Sequence, residues 1–132
     1  MTRRVSSVVA ALVVAAGAAS SADAGVPDDL RDRLLQRNVA VADAGVVRPA
    51  VPIGRALRRA RSFMGGYSRD RTHAYLVRFT NLLAGPIDRI AWLIIYRGTE
   101  QPILVSPGGT YRADLAIIVD ATTARVYFAV TT

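Results

Sequence analysis

The chain has 132 residues, no cysteine and a formal net charge of +7, and every one of its seventeen fixed cations is arginine. The lack of Cys excludes disulfides, thiol chemistry, iron–sulfur clusters and Cys-based zinc sites, so the fold rests on packing alone. The positive balance favours solubility and anionic partners and carries no information about fold.

The first 24 residues read as a cleavable secretory signal. Met1-Thr2-Arg3-Arg4 is a positive start, residues 5–22 carry no charge, and Ala22-Asp23-Ala24 is a small-x-small cleavage site. The uncharged run is rich in Ala, Ser and Gly and falls short of the roughly 20 predominantly apolar residues of a spanning helix. The expectation is export to the cell envelope or beyond, cleavage after Ala24, and no transmembrane span in the remainder. An Arg-only, Ala- and Val-rich composition fits a GC-rich bacterial coding sequence. Residues 25–132 have the size of one domain.

Within it, residues 25–50 read as an N-terminal helix and a connector. Pro27, then Asp28 and Asp29 in a positive first turn, then Leu30, Leu34 and Leu35, mark a short helix that Asn38 stops. Residues 39–51 mix Val, Ala, Gly and Pro without a sustained period and read as a connector with an extended portion. Residues 51–132 hold a second helix and four strands. Pro52 opens the helix, Ile53, Ala56, Leu57, Ala60 and Met64 recur at three- and four-residue spacing, and Gly65-Gly66 ends it.

After Gly66 the period changes to two. Strands are predicted at 72–80, 90–96, 115–120 and 126–130, the last two joined by a hairpin through Ala121-Thr122-Thr123-Ala124. The 98–112 stretch, with Pro102, Pro107, Gly108 and Gly109, reads as a long loop or arm. Helices followed by strands predict an α+β domain, an antiparallel sheet of about four strands packed against one or two N-terminal helices.

Two segments carry a resemblance. Val51-Pro52-Ile53-Gly54-Arg55-Ala56-Leu57-Arg58-Arg59-Ala60 and Ala116-Ile117-Ile118-Val119-Asp120-Ala121-Thr122-Thr123-Ala124-Arg125-Val126 are similar to the helix opening and closing hairpin of PepSY-like domains of secreted bacterial proteins. The resemblance implies a cystatin-like helix-on-sheet form and a non-catalytic module, with regulation of an extracellular peptidase as the proposed role of such domains. The chain departs from the pattern at Gly54 and Arg55, which replace acidic residues, and at Ala124, which stands where the family has Gly at a position of positive φ.

No catalytic constellation stands out. His73 is the single imidazole; Ser62, Ser68 or Ser106 with an Asp would make a triad only on paper, without a Gly-x-Ser-x-Gly elbow. One His, no Cys and dispersed acids do not make a metal site, and neither Gly pair has the surroundings of a phosphate loop. The expectation is a non-enzyme with no cofactor.

Two surfaces remain as binding candidates. Arg55, Arg58, Arg59 and Arg61 form a cationic patch on the second helix, suited to an anionic polymer, a lipid headgroup or an acidic protein. If one helix covers only one face of the sheet, Leu76, Leu93, Ile95 and Ile118, extended by Ile103 and Leu104, leave an apolar face for a protein partner or a second copy. The expected function is therefore a secreted binding or regulatory module, the alternative an envelope adaptor held by its Arg face. Nucleic acid is not an expected partner, given export and no aromatic–basic strand motif.

Overall fold

The computed structural model describes residues 22–23, 25–64, 72–103, 105 and 108–132. Most of the leader, the Gly65-Gly66 helix stop, Ser68, Arg69, Leu104 and Ser106 therefore lie outside the described residues. Within them, no helix is long and apolar enough to cross a membrane.

The chain is α+β, as its pattern predicts. Helix α1 (Asp28–Gln36) precedes strand β1 (Val39–Asp43), and helix α2 (Ile53–Met64) precedes strands β2 (Thr72–Asn81), β3 (Arg89–Pro102), β4 (Thr110–Asp120) and β5 (Val126–Thr131). The five strands form one antiparallel meander in the order β1-β2-β3-β4-β5.

The fifth strand comes from the predicted connector. Val39 and Val41 point into the core and pair across from Asn81 and Phe79, while the intervening Ala residues face outward. Their alternation is weak in sequence because the outward residues are Ala rather than charged. The predicted 98–112 loop is also corrected. β3 and β4 continue through most of it, with Thr99 opposite Ala113 and Pro102 opposite Thr110. Gly98, at φ 64°, absorbs the register shift between Tyr96 and Thr99 as a bulge. The first residue of the predicted loop is thus a strand irregularity.

The two helices lie on opposite faces of the sheet. Leu30 and Leu34 of α1 belong to one buried cluster with Tyr75, Val77, Phe79, Leu93, Ile95 and Ile118. Arg33 of α1 reaches across to Asp114 of β4 at 3.6 Å. Ala56 and Ala60 of α2 belong to a second cluster with Trp92, Ile94, Tyr96, Ile117 and Val119. The small residues let the α2 backbone sit close to β3, β4 and β5. The central strands are therefore buried on both sides, and their near-continuous apolar runs, Ala91 to Tyr96 and Leu115 to Val119, are the expected composition for such strands.

This arrangement corrects the apolar-face candidate. Leu93, Ile95 and Ile118 are fully buried on the α1 side and present no surface. Leu76, one residue from Tyr75 and hence on the other face, packs partly buried against the α2 cluster. Ile103 is partly exposed at the far tip of the β3–β4 hairpin, and Leu104 is outside the described residues.

The residues at the expected cleavage site join the fold. The Asp23 N–H donates to the Ala74 carbonyl at 2.7 Å, and the Ala74 N–H donates to the Asp23 carboxylate at 2.8 Å. Asp23 also lies 3.6 Å from His73. Cleavage after Ala24 would remove these contacts from the otherwise uncovered start of the β2 edge.

Candidate anion-binding groove

In a helix of 3.6 residues per turn, Arg55, Arg58, Arg59 and Ser62 fall on one side and Ile53, Ala56, Leu57 and Ala60 on the other. Burial of Ala56 and Ala60 against the sheet therefore turns the three guanidinium groups outward together. Arg61 lies roughly a third of a turn away by the same geometry, beside Leu57, and does not line the groove described next.

The opposite wall is the β4–β5 turn. Asp120 ends β4 with its side chain buried, and its Oδ1 accepts the Thr122 N–H at 2.6 Å and the Thr123 N–H at 3.0 Å. The Ala124 N–H donates to the Asp120 carbonyl at 2.9 Å, and the Asp120 N–H to the Arg125 carbonyl at 2.7 Å. These bonds hold Ala124 at φ 68°, a left-handed conformation that Gly adopts without strain. The turn keeps that shape without Gly, at a cost of about 1–2 kcal/mol for the Ala side chain.

Val51 clamps the walls together. Its N–H donates to the Ala121 carbonyl at 2.8 Å, and its carbonyl accepts the buried Trp92 Nε1–H at 2.8 Å. The result is an open groove of about 510 Å³ lined by Arg55, Arg58, Arg59, Ser62, Thr123, Ala124 and Arg125.

Electrostatics distinguish these arginines from their neighbours. Arg89 is committed, donating to Asp120 Oδ2 at 2.8 Å, and the same oxygen accepts the Tyr127 hydroxyl. Burial alone would raise the Asp120 carboxyl; the Tyr127, Thr122 and Thr123 hydrogen bonds and the Arg89 charge outweigh it and hold the group below the ordinary aspartate range. Tyr127 is shifted upward, by burial and by the Asp120 carboxylate. Its ring lies 5.6 Å from the Arg125 guanidinium carbon, so Asp120 orients Tyr127 and Tyr127 supports Arg125. Arg55, Arg58, Arg59 and Arg125 have no carboxylate partner among the described residues.

Three of the four predicted patch residues thus come together, and Arg61 does not. Sequence reading misses Ser62, Thr123 and Arg125. Ser62 is recoverable from helical phase, at i+7 from Arg55. Thr123 and Arg125 are not, because nothing local says that the closing turn meets the helix. The arrangement offers guanidinium and hydroxyl donors, which suits oxyanions, while the N–H groups of the turn are spent on Asp120 and on Thr123 Oγ1. It has no imidazole or carboxylate positioned as a base: His73 stacks on Tyr75 and faces Asp23 instead. Among the described residues no group of three or more His, Asp or Glu side chains could hold a metal ion. Compared with known proteins, the chain matches no family model, no curated protein and no solved structure.

Proposed function

We propose that the protein is an exported, non-catalytic binding module that holds an anionic partner in the groove between α2 and the β4–β5 turn. The observation that carries this reading is the convergence of four guanidinium groups without carboxylate partners on one open groove with two hydroxyls. Keeping like charges together in a small domain is unfavourable unless an anion compensates them. The alternative surface, the apolar sheet face, is occupied by α1. The two segments similar to PepSY-like domains are the two walls of the groove, which supports a binding module of that kind over an enzyme. Export rests on the leader-like pattern of residues 1–24.

The test is binding of labelled polyphosphate, a polymer of oxyanions, by the purified protein across a salt series. The double variant Arg58→Glu, Arg59→Glu is expected to lose about 100-fold in affinity, counting at least tenfold for each charge-assisted contact. Both side chains are exposed, so thermal stability should stay near that of the parent. The matched reversal Arg48→Glu, Arg61→Glu, at two arginines that do not line the groove, changes net charge equally and should cost much less. Equal losses from the two double variants would make the effect one of net charge and remove the groove as the site.

A further inference from the structure

The β2–β3 connection, residues 82–88, carries the most exposed aliphatic cluster at the end of the domain where the groove lies. Leu83 and Ile87 are 78% and 75% exposed, and Leu82 is 53% exposed. The Leu82 N–H donates to the Asn38 carbonyl at 2.8 Å, and the Asn38 N–H to the Leu35 carbonyl at 2.9 Å, which ties the loop to the half-exposed Leu35 at the end of α1. In the antiparallel meander the α1–β1, β2–β3 and β4–β5 connections all fall at this end.

The loop is held rigidly from within. Asn81 Oδ1 accepts the Leu83 and Ala84 N–H groups at 3.0 and 3.4 Å, and the Asn81 carbonyl accepts the Gly85 N–H at 2.9 Å. The Asp88 N–H donates to Thr80 Oγ1 at 2.9 Å. With Leu82 bonded to Asn38 and Pro86 lacking an N–H, only Ile87 of the 82–88 stretch has an N–H still to satisfy. A surface loop normally leaves such groups to water. One that has already bonded its N–H groups loses few donor hydrogen bonds at the headgroup–acyl boundary, where its carbonyls can still accept from water and headgroups.

Charge surrounds the tip. Arg37 caps α1 without a carboxylate partner among the described residues, and Arg78 is paired with Asp88 at 3.5 Å. Arg89 and Arg125, with Tyr127, line an open cleft of about 430 Å³ against Ala84, Gly85 and Pro86. Arg125 also lines the anion groove. The carboxylates here are Asp88, matched by Arg78, and the buried Asp120, matched by Arg89, so the balance at this end is positive.

We infer that the 82–87 loop is a membrane-insertion element: Leu82, Leu83 and Ile87 enter the headgroup–acyl boundary of a bilayer rich in anionic phospholipid, and Arg37, Arg125 and the groove take its phosphates. The side chains project from a loop rather than line a concavity, which fits a fluid interface better than a protein ligand that would have to enclose them. Aliphatic groups backed by arginines are the combination that binds the interface of anionic bilayers. The inference takes the identity of its anion from the groove reading, while the inserting residues are separate from that groove.

The test uses the purified protein with sedimentable vesicles of phosphatidylcholine, with and without phosphatidylglycerol. The protein should co-sediment with the anionic vesicles, and Leu83→Trp should emit at shorter wavelength when bound. Leu83→Asp with Ile87→Asp should lower partitioning about 100-fold, since each aliphatic chain withdrawn from the acyl boundary is worth roughly tenfold. That variant should keep the parent's circular dichroism, melting temperature and polyphosphate affinity. Absence of binding to anionic vesicles at low salt, or binding unchanged in the aspartate variant, would overturn the inference. So would a soluble protein captured through Leu83 and Ile87 without any vesicle binding. Vesicle binding that needs Leu83 and Ile87 but survives Arg58→Glu, Arg59→Glu would leave the loop assigned and the groove reading refuted.

Discussion

Replacing Asp120 with alanine is expected to destabilise the domain by about 3 kcal/mol, the lower end of the range for removing one partner of a buried charged network. The side chain is 1% exposed and serves four donors: the Thr122 and Thr123 N–H groups, Arg89 Nη2 and the Tyr127 hydroxyl. Arg89 is half exposed and can regain water, which keeps the loss from being larger. Tyr127→Phe removes a single hydrogen bond to the carboxylate and should cost about 1.5 kcal/mol. Urea unfolding of the parent and both variants measures these differences.

The same group sets an acid dependence. In the folded protein Asp120 titrates below its ordinary value, so the unfolded chain binds its proton more readily than the folded chain does. The stabilisation is fully present above the unfolded value of about 3.9 and is lost as pH falls through the lower folded value. Stability measured between neutral pH and pH 3 should fall more steeply for the parent than for Asp120→Asn. Parallel curves would mean that the carboxylate is no more stabilised in the fold than in the open chain.

Leu93→Asp is expected to abolish folding outright. Leu93 is fully buried in the cluster that holds Leu30 and Leu34, so the substitution places a carboxylate without a partner between sheet and helix. A domain of this size has only about 5–15 kcal/mol to lose. The milder Leu93→Ala and Leu34→Ala should each cost about 2–5 kcal/mol. Leu35→Asp, on the same helix but half exposed, should be nearly neutral. Far-UV circular dichroism and urea unfolding separate these cases. A Leu93→Asp protein that melts like its parent would mean that α1 is not seated on that face.

The groove proposed to hold an anion adds a different constraint. Its arginines can be reversed without unfolding because α2 is anchored by Ala56, Ala60 and the Val51 clamp rather than by charge. Stability and binding are therefore separable, which is what makes the variants at Arg58 and Arg59 informative. At Asp120 they are not separable, since the residue that shapes the turn also orients Tyr127 beneath Arg125.

Local chemistry settled much of this protein from sequence alone. Pro27 with Asp28 and Asp29 began α1 and Asn38, at φ 64°, ended it, because capping and left-handed stops depend on neighbours in the chain. The 3.6-residue period placed Arg55, Arg58 and Arg59 on one side of α2, and the period-two runs located the strands. The closing hairpin followed from Asp120 and its two Thr residues, while only the folded turn decided that Ala124 keeps a positive φ.

What stayed hidden depended on contacts between distant segments. β1 has too little polar–apolar contrast to announce itself, and pairing with β2 made it a strand. Whether Leu93 and Ile95 formed a surface or a core turned on where α1 docks. The groove needed Thr123 and Arg125 brought against Arg55 some 70 positions earlier, and the apolar tip needed Leu35 set beside the 82–88 loop. Periodicity records which side of an element is apolar; only the packed chain decides what that side, and the charged side opposite it, will meet.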